Sequence, residues 1–351
     1  MPPLPPSDLD HILAHTQGLW EELRGRRIFI TGGTGFFGCW LLESFAWAND
    51  KLDLNSTAAV LTRNPAAFQI KAPHLASHPA IQFHRGDVRD FAFPEGEFSH
   101  VVHAATEADL QVMAGDPLQV FDVNVEGTRR VLEFARRSGV RRFLFTSSGA
   151  VYGRQPADLD RVPEDFSGGP NSIDTQSAYG IPGEAKRAAE SLCALYALQF
   201  GVETMIARCF AFIGPHLPLD GKFAVGNFIR DALRGGPIQV KGDGTPYRSY
   251  LYAADLAIWL WTILFRGPSG RAYNVGSERG MTIGEVAQAV SESFAPPRPI
   301  QIAQPPSPAQ PPSRYVPSTH KARTELGLRE TVGLRDGIRR TGLWHQQNRS
   351  N

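Results

Sequence analysis

Only three cysteines occur in 351 residues, and Cys39, Cys193 and Cys209 are too far apart for a disulfide framework or a metal-ligand spacing. They read as small apolar core residues of a reducing compartment, with no metal expected. No apolar run is long enough to span a bilayer; the longest, Leu256 to Phe265, points to a buried helix. Net charge is almost absent, 36 Lys and Arg against 35 Asp and Glu, which removes the electrostatic case for nucleic acid or a membrane surface as partner. The opening Met1-Pro2-Pro3-Leu4-Pro5-Pro6 has neither the basic nor the apolar stretch of a signal peptide, so a cytoplasmic protein is expected. There is no internal repeat, and only Pro305 to Pro312 is a short proline-rich loop. The length suits one large α/β domain with a smaller lobe.

One stretch organises the chain: Arg27-Ile28-Phe29-Ile30-Thr31-Gly32-Gly33-Thr34-Gly35-Phe36-Phe37-Gly38. Arg27 to Thr31 has the pattern of a buried strand, and Cys39 to Trp47 the apolar spacing of a helix. Between them Gly32, Gly35 and Gly38 let the backbone approach a pyrophosphate, whose charge is met by amides at the helix N-terminus. A glycine turn alone is weak evidence; a strand before it and a helix after it supply the context of a dinucleotide site.

In chain order, Ser7 is expected to cap a helix from Asp8 to about Leu23, with Leu9, Ile12, Leu13 and Leu19 on one face. Thr57 to Leu61 reads as the second strand, followed by Arg63 where NAD-selective folds carry an acid; an arginine there pairs with a 2′-phosphate, or is a solvated loop residue. Ile81 to His84 is a third strand, ending in Gly86-Asp87-Val88, where Asp87 either meets an adenine amino group or caps a helix. Val101 to Thr106 is the fourth strand, Pro117 to Ser138 a helix with Asn124 facing inwards, and Phe143 to Ser148 the fifth strand. This alternation predicts a doubly wound parallel sheet of Rossmann type. Asp158 to Thr175 is a long loop, Glu184 to Phe200 an amphipathic helix and Thr204 to Cys209 a strand. Gly226 to Gly235 is a helix, Ile238 to Lys241 and Arg248 to Tyr252 are strands, and Asp255 is expected to cap the helix that follows. These later pieces suit a smaller C-terminal substrate lobe over the C-terminal edge of the sheet. The expected divisions are a helical extension over 1–25, a Rossmann domain over 26–180, and an interleaved remainder with the substrate lobe over 181–351.

Taken together, the TGGTGFFG turn, GDV at 86–88, HAA at 103–105, NVEGT at 124–128, SSGAVYG at 147–153, Tyr179 with Lys186, GP at 214–215, GDGTPYRSY at 242–250 and NVGS at 274–277 resemble the extended short-chain dehydrogenase/reductase family, the nucleotide-sugar epimerases and dehydratases. The resemblance covers about residues 25 to 345. It implies a cofactor, NAD or NADP, held by Gly32, Gly35, Phe36, Phe37, Gly38, Arg63, Asp87, Val88, Ala104, Ala105, Tyr179 and Lys186. It implies a nucleotide-diphosphate sugar substrate contacted by Ser148, Asn227, Arg248 and Arg314. Ser148 would orient the sugar oxygen, Tyr179 would be the acid/base, and Lys186 would bind ribose and lower the tyrosine pKa. A homodimer through the helices near 117–137 and 184–200 is implied too.

Three departures shape the reading. The family places its lysine four residues after the tyrosine, but Tyr179 and Lys186 are seven apart, which on one helix is about 10 Å. A helix starting near Pro182, with Tyr179 folded back from the loop before it, restores the couple; the usual register would put Pro182 in the tyrosine's place. Second, dehydratases carry an Asp-Glu pair, and decarboxylases a Glu, after the strand-five hydroxyl, where this chain has Gly149-Ala150. Third, Ala211 stands where an Asn is usual before Gly214-Pro215. The expectation is an epimerase working by transient hydride transfer at C4. The alternatives are an NADPH-dependent 4-keto-sugar reductase, a 4,6-dehydratase-like enzyme, or a dinucleotide-binding protein without catalysis.

Overall fold

The computed structural model describes residues 1–107, 115–171, 180–221, 223–306 and 311–348. They fall into two compact units, each built from three segments: 1–153, 169–209 and 257–273 in the first; 154–168, 210–256 and 274–351 in the second.

The first unit is laid on a seven-stranded sheet. Its strands are β1 (Arg27–Thr31), β2 (Thr57–Thr62), β3 (Ile81–Arg85), β4 (His100–His103), β5 (Arg142–Ser148), β6 (Glu203–Cys209) and β7 (Arg271–Val275), in the spatial order β7-β6-β5-β4-β1-β2-β3. The pairs from β3 across to β6 are all parallel. The order reverses between β1 and β4, and a crevice beyond the carboxyl ends of such a pair is where this architecture takes ligands. This is the doubly wound Rossmann-type sheet that the strand–helix alternation implies.

Helices α1 (Pro6–His15), α2 (Phe36–Lys51), α3 (Pro65–Lys71), α4 (Pro73–Ala76), α5 (Pro117–Arg137), α6 (Ile181–Phe200) and α7 (Ala253–Arg266) accompany these strands, with α7 shared between the units. Period-two alternation sends Phe29 into an aromatic core with Phe91, Phe98 and Phe134 of α5. Ala189, Leu192 and Cys193 of α6 belong to the same core. Another cluster sets Trp20 against Trp261 and Phe265 of α7, and the Trp261 indole donates to Ser44 of α2 at 2.9 Å. Burial of so many aromatic side chains is the main source of stability here.

Three local expectations are corrected. The first helix begins at Pro6, with Pro5 and not Ser7 as its cap, because a proline already holds the φ of a first helical residue. It stops at His15; Gly18 turns the chain with φ +74°, and a short 3-10 turn, Trp20–Leu23, follows. Arg248 to Tyr252 is not one strand. Tyr247–Arg248 pairs with Met281–Thr282 and with Arg314–Tyr315, whereas Leu251–Tyr252 pairs with Phe212–Ile213. Asp255 lies inside the first turn of α7 rather than before it, and its carboxylate accepts the Thr331 and Val332 amides at 2.9 and 3.0 Å. It ties down another segment of its own unit, the second, instead of capping its own helix.

Candidate active site

The glycine turn joins β1 to α2 at the point where the strand order reverses. Gly32 has φ +71°, and a Cβ there would lie 2.5 Å from the Ala104 carbonyl carbon. At Gly38 a Cβ would overlap the Gly32 oxygen and the Gly33 backbone. Gly35 is different: among the described residues a Cβ there meets only the Gly32 oxygen, at 3.4 Å. Two glycines are therefore demanded by the protein's own packing, and the middle one faces space that the described protein leaves open. Among the described residues no side chain caps the α2 N-terminus, whose N-cap is Gly35. An open glycine beside an uncapped helix N-terminus is the arrangement a dinucleotide pyrophosphate requires, so these residues fit the cofactor. Phe36 and Phe37, both half-buried, begin the helix.

Ala104 and Ala105 follow β4 and are held by a buried polar chain. The Ala104 amide donates to the Thr31 carbonyl at 3.1 Å, and the Ala105 amide to the Thr31 hydroxyl at 3.1 Å. That hydroxyl lies 2.7 Å from His103 Nδ1, and His103 Nε2 lies 2.9 Å from Thr128 Oγ1. Thr128 gives its own proton to the Asn124 carbonyl at 2.5 Å. The imidazole must then carry its proton on Nε2 and accept at Nδ1. Burial pushes the His103 pKa down to about 3, with the Lys186 charge acting in the same direction. Asn124 is buried, as its inward spacing implies, and accepts the Thr106 hydroxyl at 3.0 Å.

His100, at the other end of β4, is also buried and held down to about 3, by burial first and then by Arg142 and neighbouring arginines. Both histidines take up protons in the unfolded chain between pH 6.5 and about 3 but not in the folded one, so stability falls as pH drops through that window. Replacing His100 by Phe, beside the Phe265 ring it already packs against, removes one of the two. Urea unfolding at pH 7 and pH 5 is expected to show the variant losing about 2 kcal/mol less than the parent. An unchanged difference would refute the neutral, buried His100.

The remaining cofactor-site candidates sit as follows. Arg63 is exposed beyond β2, with its guanidinium 3.9 Å from Glu107. Asp87 is paired with Arg89, at 2.9 and 3.1 Å, and hydrogen bonds from Arg89 hold its pKa below the ordinary aspartate value. Val88 points into the core, where a Cβ on Gly127 would touch it at 2.8 Å.

At the end of β5 the Ser148 hydroxyl accepts the Ala150 amide at 3.1 Å, capping a 3-10 turn, Gly149–Tyr152. As an acceptor there, it retains its own proton to donate. Helix α6 starts at Ile181, with proline in its first turn, so the helix start expected near Pro182 is found. Lys186 lies within it, buried; its ammonium donates to the Thr146 carbonyl at 2.9 Å and stands 4.7 Å from the Phe145 ring centre. Burial lowers its pKa to about 8, against the opposing pull of Cys209, Glu190 and Cys193. Tyr179 lies outside the described residues.

Asn227, Arg248 and Arg314 belong to the second unit. Arg248 and Arg314 are on adjacent paired strands, with Arg314 facing Tyr247 across the ladder and stacked 4.2 Å from its ring. Arg314 also pairs with Asp160 at 3.3 Å, and Arg248 donates to the Tyr247 carbonyl at 2.7 Å. Asn227 donates to the Gly221 carbonyl at 3.2 Å.

The sequence reading passed over one group. Glu190 of α6 receives Arg208 in a two-pronged contact, Nε to Oε1 at 3.0 Å and Nη2 to Oε2 at 2.7 Å, and the Ser147 hydroxyl at 2.5 Å. Arg208 also donates to the Tyr152 hydroxyl at 2.9 Å. Burial works against the Arg208 charge, but the Glu190 carboxylate overrides it and holds the pKa above the ordinary arginine value. The available signal was the spacing of Lys186 and Glu190, four apart on one helical face.

Comparison with known proteins agrees with this geometry. The model of the NAD dependent epimerase/dehydratase family matches residues 28–276. A UDP-glucuronic acid decarboxylase of Arabidopsis thaliana is 32% identical over 316 residues, 89% of this chain and 86% of that protein. A UDP-glucose 4-epimerase of Thermus thermophilus, solved with NAD, superposes with a TM-score of 0.72 at 30% identity over 91% of this chain and 98% of that one. The dTDP-glucose 4,6-dehydratase DesIV of Streptomyces venezuelae, with NAD bound, gives 0.75 at 25% identity over 92% and 98%. An open glycine turn at the switch point, in a chain matched over most of its length, makes this an NAD(P)-dependent enzyme that belongs to the NAD dependent epimerase/dehydratase family.

Proposed function

We propose that the chain is a cytoplasmic nucleotide-sugar epimerase that inverts a sugar carbon by transient oxidation at C4. The carrying observation is the pair Gly149-Ala150 after Ser148: neither residue has a side chain that moves a proton. The Arabidopsis and Danio rerio relatives are UDP-glucuronic acid decarboxylases, but elimination of water or activation of a carboxylate calls for an acid or base at that point. The nicotinamide, when bound, supplies the hydride acceptor and returns the hydride. Ser148 donates a hydrogen bond that orients the sugar oxygen, Tyr179 removes the proton from that oxygen, and the Lys186 ammonium holds the ribose and favours the tyrosinate. Arg248 and Arg314, with Asn227, take the diphosphate, since guanidinium groups suit phosphate oxygens. Leu195, Leu198 and Phe200 are exposed on the last turns of α6, and this apolar surface supports a homodimer through α5 and α6.

A second reading, a 4-keto-sugar reductase using NADPH, is favoured by Arg63, whose exposed guanidinium suits a 2′-phosphate.

Incubation with UDP-glucose, UDP-glucuronic acid, dTDP-glucose and CDP-glucose, with products read by mass and NMR, separates these activities. An isomer of unchanged mass is expected with substoichiometric NAD. Loss of carbon dioxide or of water would overturn the epimerase in favour of a decarboxylase or dehydratase, and consumption of NADPH in favour of the reductase.

A further inference from the structure

We propose that Glu190 is a positioning residue: locked between Arg208 and Ser147, it is the fixed countercharge that keeps the buried Lys186 an ammonium at the reacting edge. The inference rests on the reading above for what Lys186 does, but not for its surroundings. Lys186 and Glu190 are one turn apart on α6, so their side chains share a face. Apart from Glu190 and the Arg208 guanidinium paired with it, the ionisable groups around Lys186 among the described residues are neutral. From its own helix comes Cys193 and from β6 Cys209, both thiols pushed up by burial, Cys209 to about 12. From β4 comes His103, held neutral inside its threonine chain. From β5 come only the Phe145 ring and the Thr146 carbonyl. Burial penalises an ammonium in such a setting, and Glu190 opposes that penalty.

The countercharge is itself secured. Arg208 occupies both carboxylate oxygens and Ser147 donates a further hydrogen bond, so three charge-assisted contacts fix the carboxylate in place. The same pair joins the ends of the elements that carry the site. Ser147 precedes Ser148 on β5, Arg208 is the last residue but one of β6, and Tyr152, which Arg208 holds at 2.9 Å, closes the turn that Ser148 caps.

The test begins on the protein without cofactor. Lysine labelled with 13C at Cε is titrated by NMR, and the Lys186 resonance is identified by its loss in Lys186→Arg. In Glu190→Gln the Lys186 midpoint is expected to fall by about one pH unit. The double variant Glu190→Met/Arg208→Met, which removes the Arg208 charge together with the carboxylate that pairs it, is expected to move it in the same direction and covers the case in which the single variant does not fold. NAD+ binding followed by tryptophan fluorescence is then expected to weaken several-fold in Glu190→Gln at pH 8 but not at pH 6, whereas a purely structural defect weakens it at both. A Lys186 midpoint unmoved in the folded variants would overturn the proposal. A moved midpoint with no change in NAD+ binding would keep the coupling and instead remove Lys186 from the cofactor.

Discussion

Lys186→Met is expected to make the protein more stable at pH 7 and to abolish turnover. An ammonium whose pKa is lowered from 10.5 to about 8 costs the folded state about 3 kcal/mol at neutral pH relative to the unfolded chain. Methionine fills the same channel with a polarizable group suited to the Phe145 ring. The Thr146 carbonyl loses its donor, which returns about 1 kcal/mol, so a net gain of about 2 kcal/mol is expected in urea unfolding. The parent protein gains stability as pH rises from about 8 to 10.5, because in that window the unfolded chain holds a proton that the folded one has released; the variant loses this slope. Turnover on any nucleotide sugar the parent accepts is expected to fall at least about a hundredfold. A variant less stable than the parent at pH 7, with the alkaline slope intact, would show that Lys186 is not buried as an ammonium.

Gly32, Gly35 and Gly38 are expected to separate into two kinds on alanine substitution. Gly38→Ala forces a methyl group onto the Gly32 and Gly33 backbone, and backbone cannot step aside as a side chain does. A loss of about 3 kcal/mol in stability, or an insoluble product, follows. Gly35→Ala meets only one oxygen at ordinary contact distance and is expected to melt within a degree or two of the parent. Its methyl group instead occupies the space of the pyrophosphate, and NAD+ affinity measured by calorimetry falls at least about tenfold, roughly 1.4 kcal/mol. Equal loss of stability in both variants would remove the distinction between packing and ligand glycines.

Much of the first unit was legible because parallel strands buried on both faces read as short apolar runs, and the helices between them carry a 3.6-residue period. β1, β2 and β5 emerge within a residue or two of their expected bounds. The errors lie where a single residue type overrides periodicity. Pro6 starts the first helix ahead of Ser7, and the apolar face of Leu9 and Ile12 continues in Trp20 only after a glycine turn. Arg248 to Tyr252 looks like one strand because local pattern carries no record of which partner each half pairs with. At the site, glycines and hydroxyls are visible as motifs, but Glu190 and Arg208 are not. An ion pair between a helix and a strand end depends on two chain segments meeting, and each residue alone resembles a solvated charge.

The division of the chain into alternating segments bears on how the protein is made. The first unit takes residues 1–153, 169–209 and 257–273, so its last strand, β7, enters the sheet beside β6 only after the intervening segments exist. A nascent chain emerging from the ribosome can assemble β1 to β6, but β6 remains an open edge until Arg271–Val275 arrives. An open edge is a template for mispairing. A pause in translation between the codons for Cys209 and Arg271 therefore prolongs the time for which the β6 edge is open.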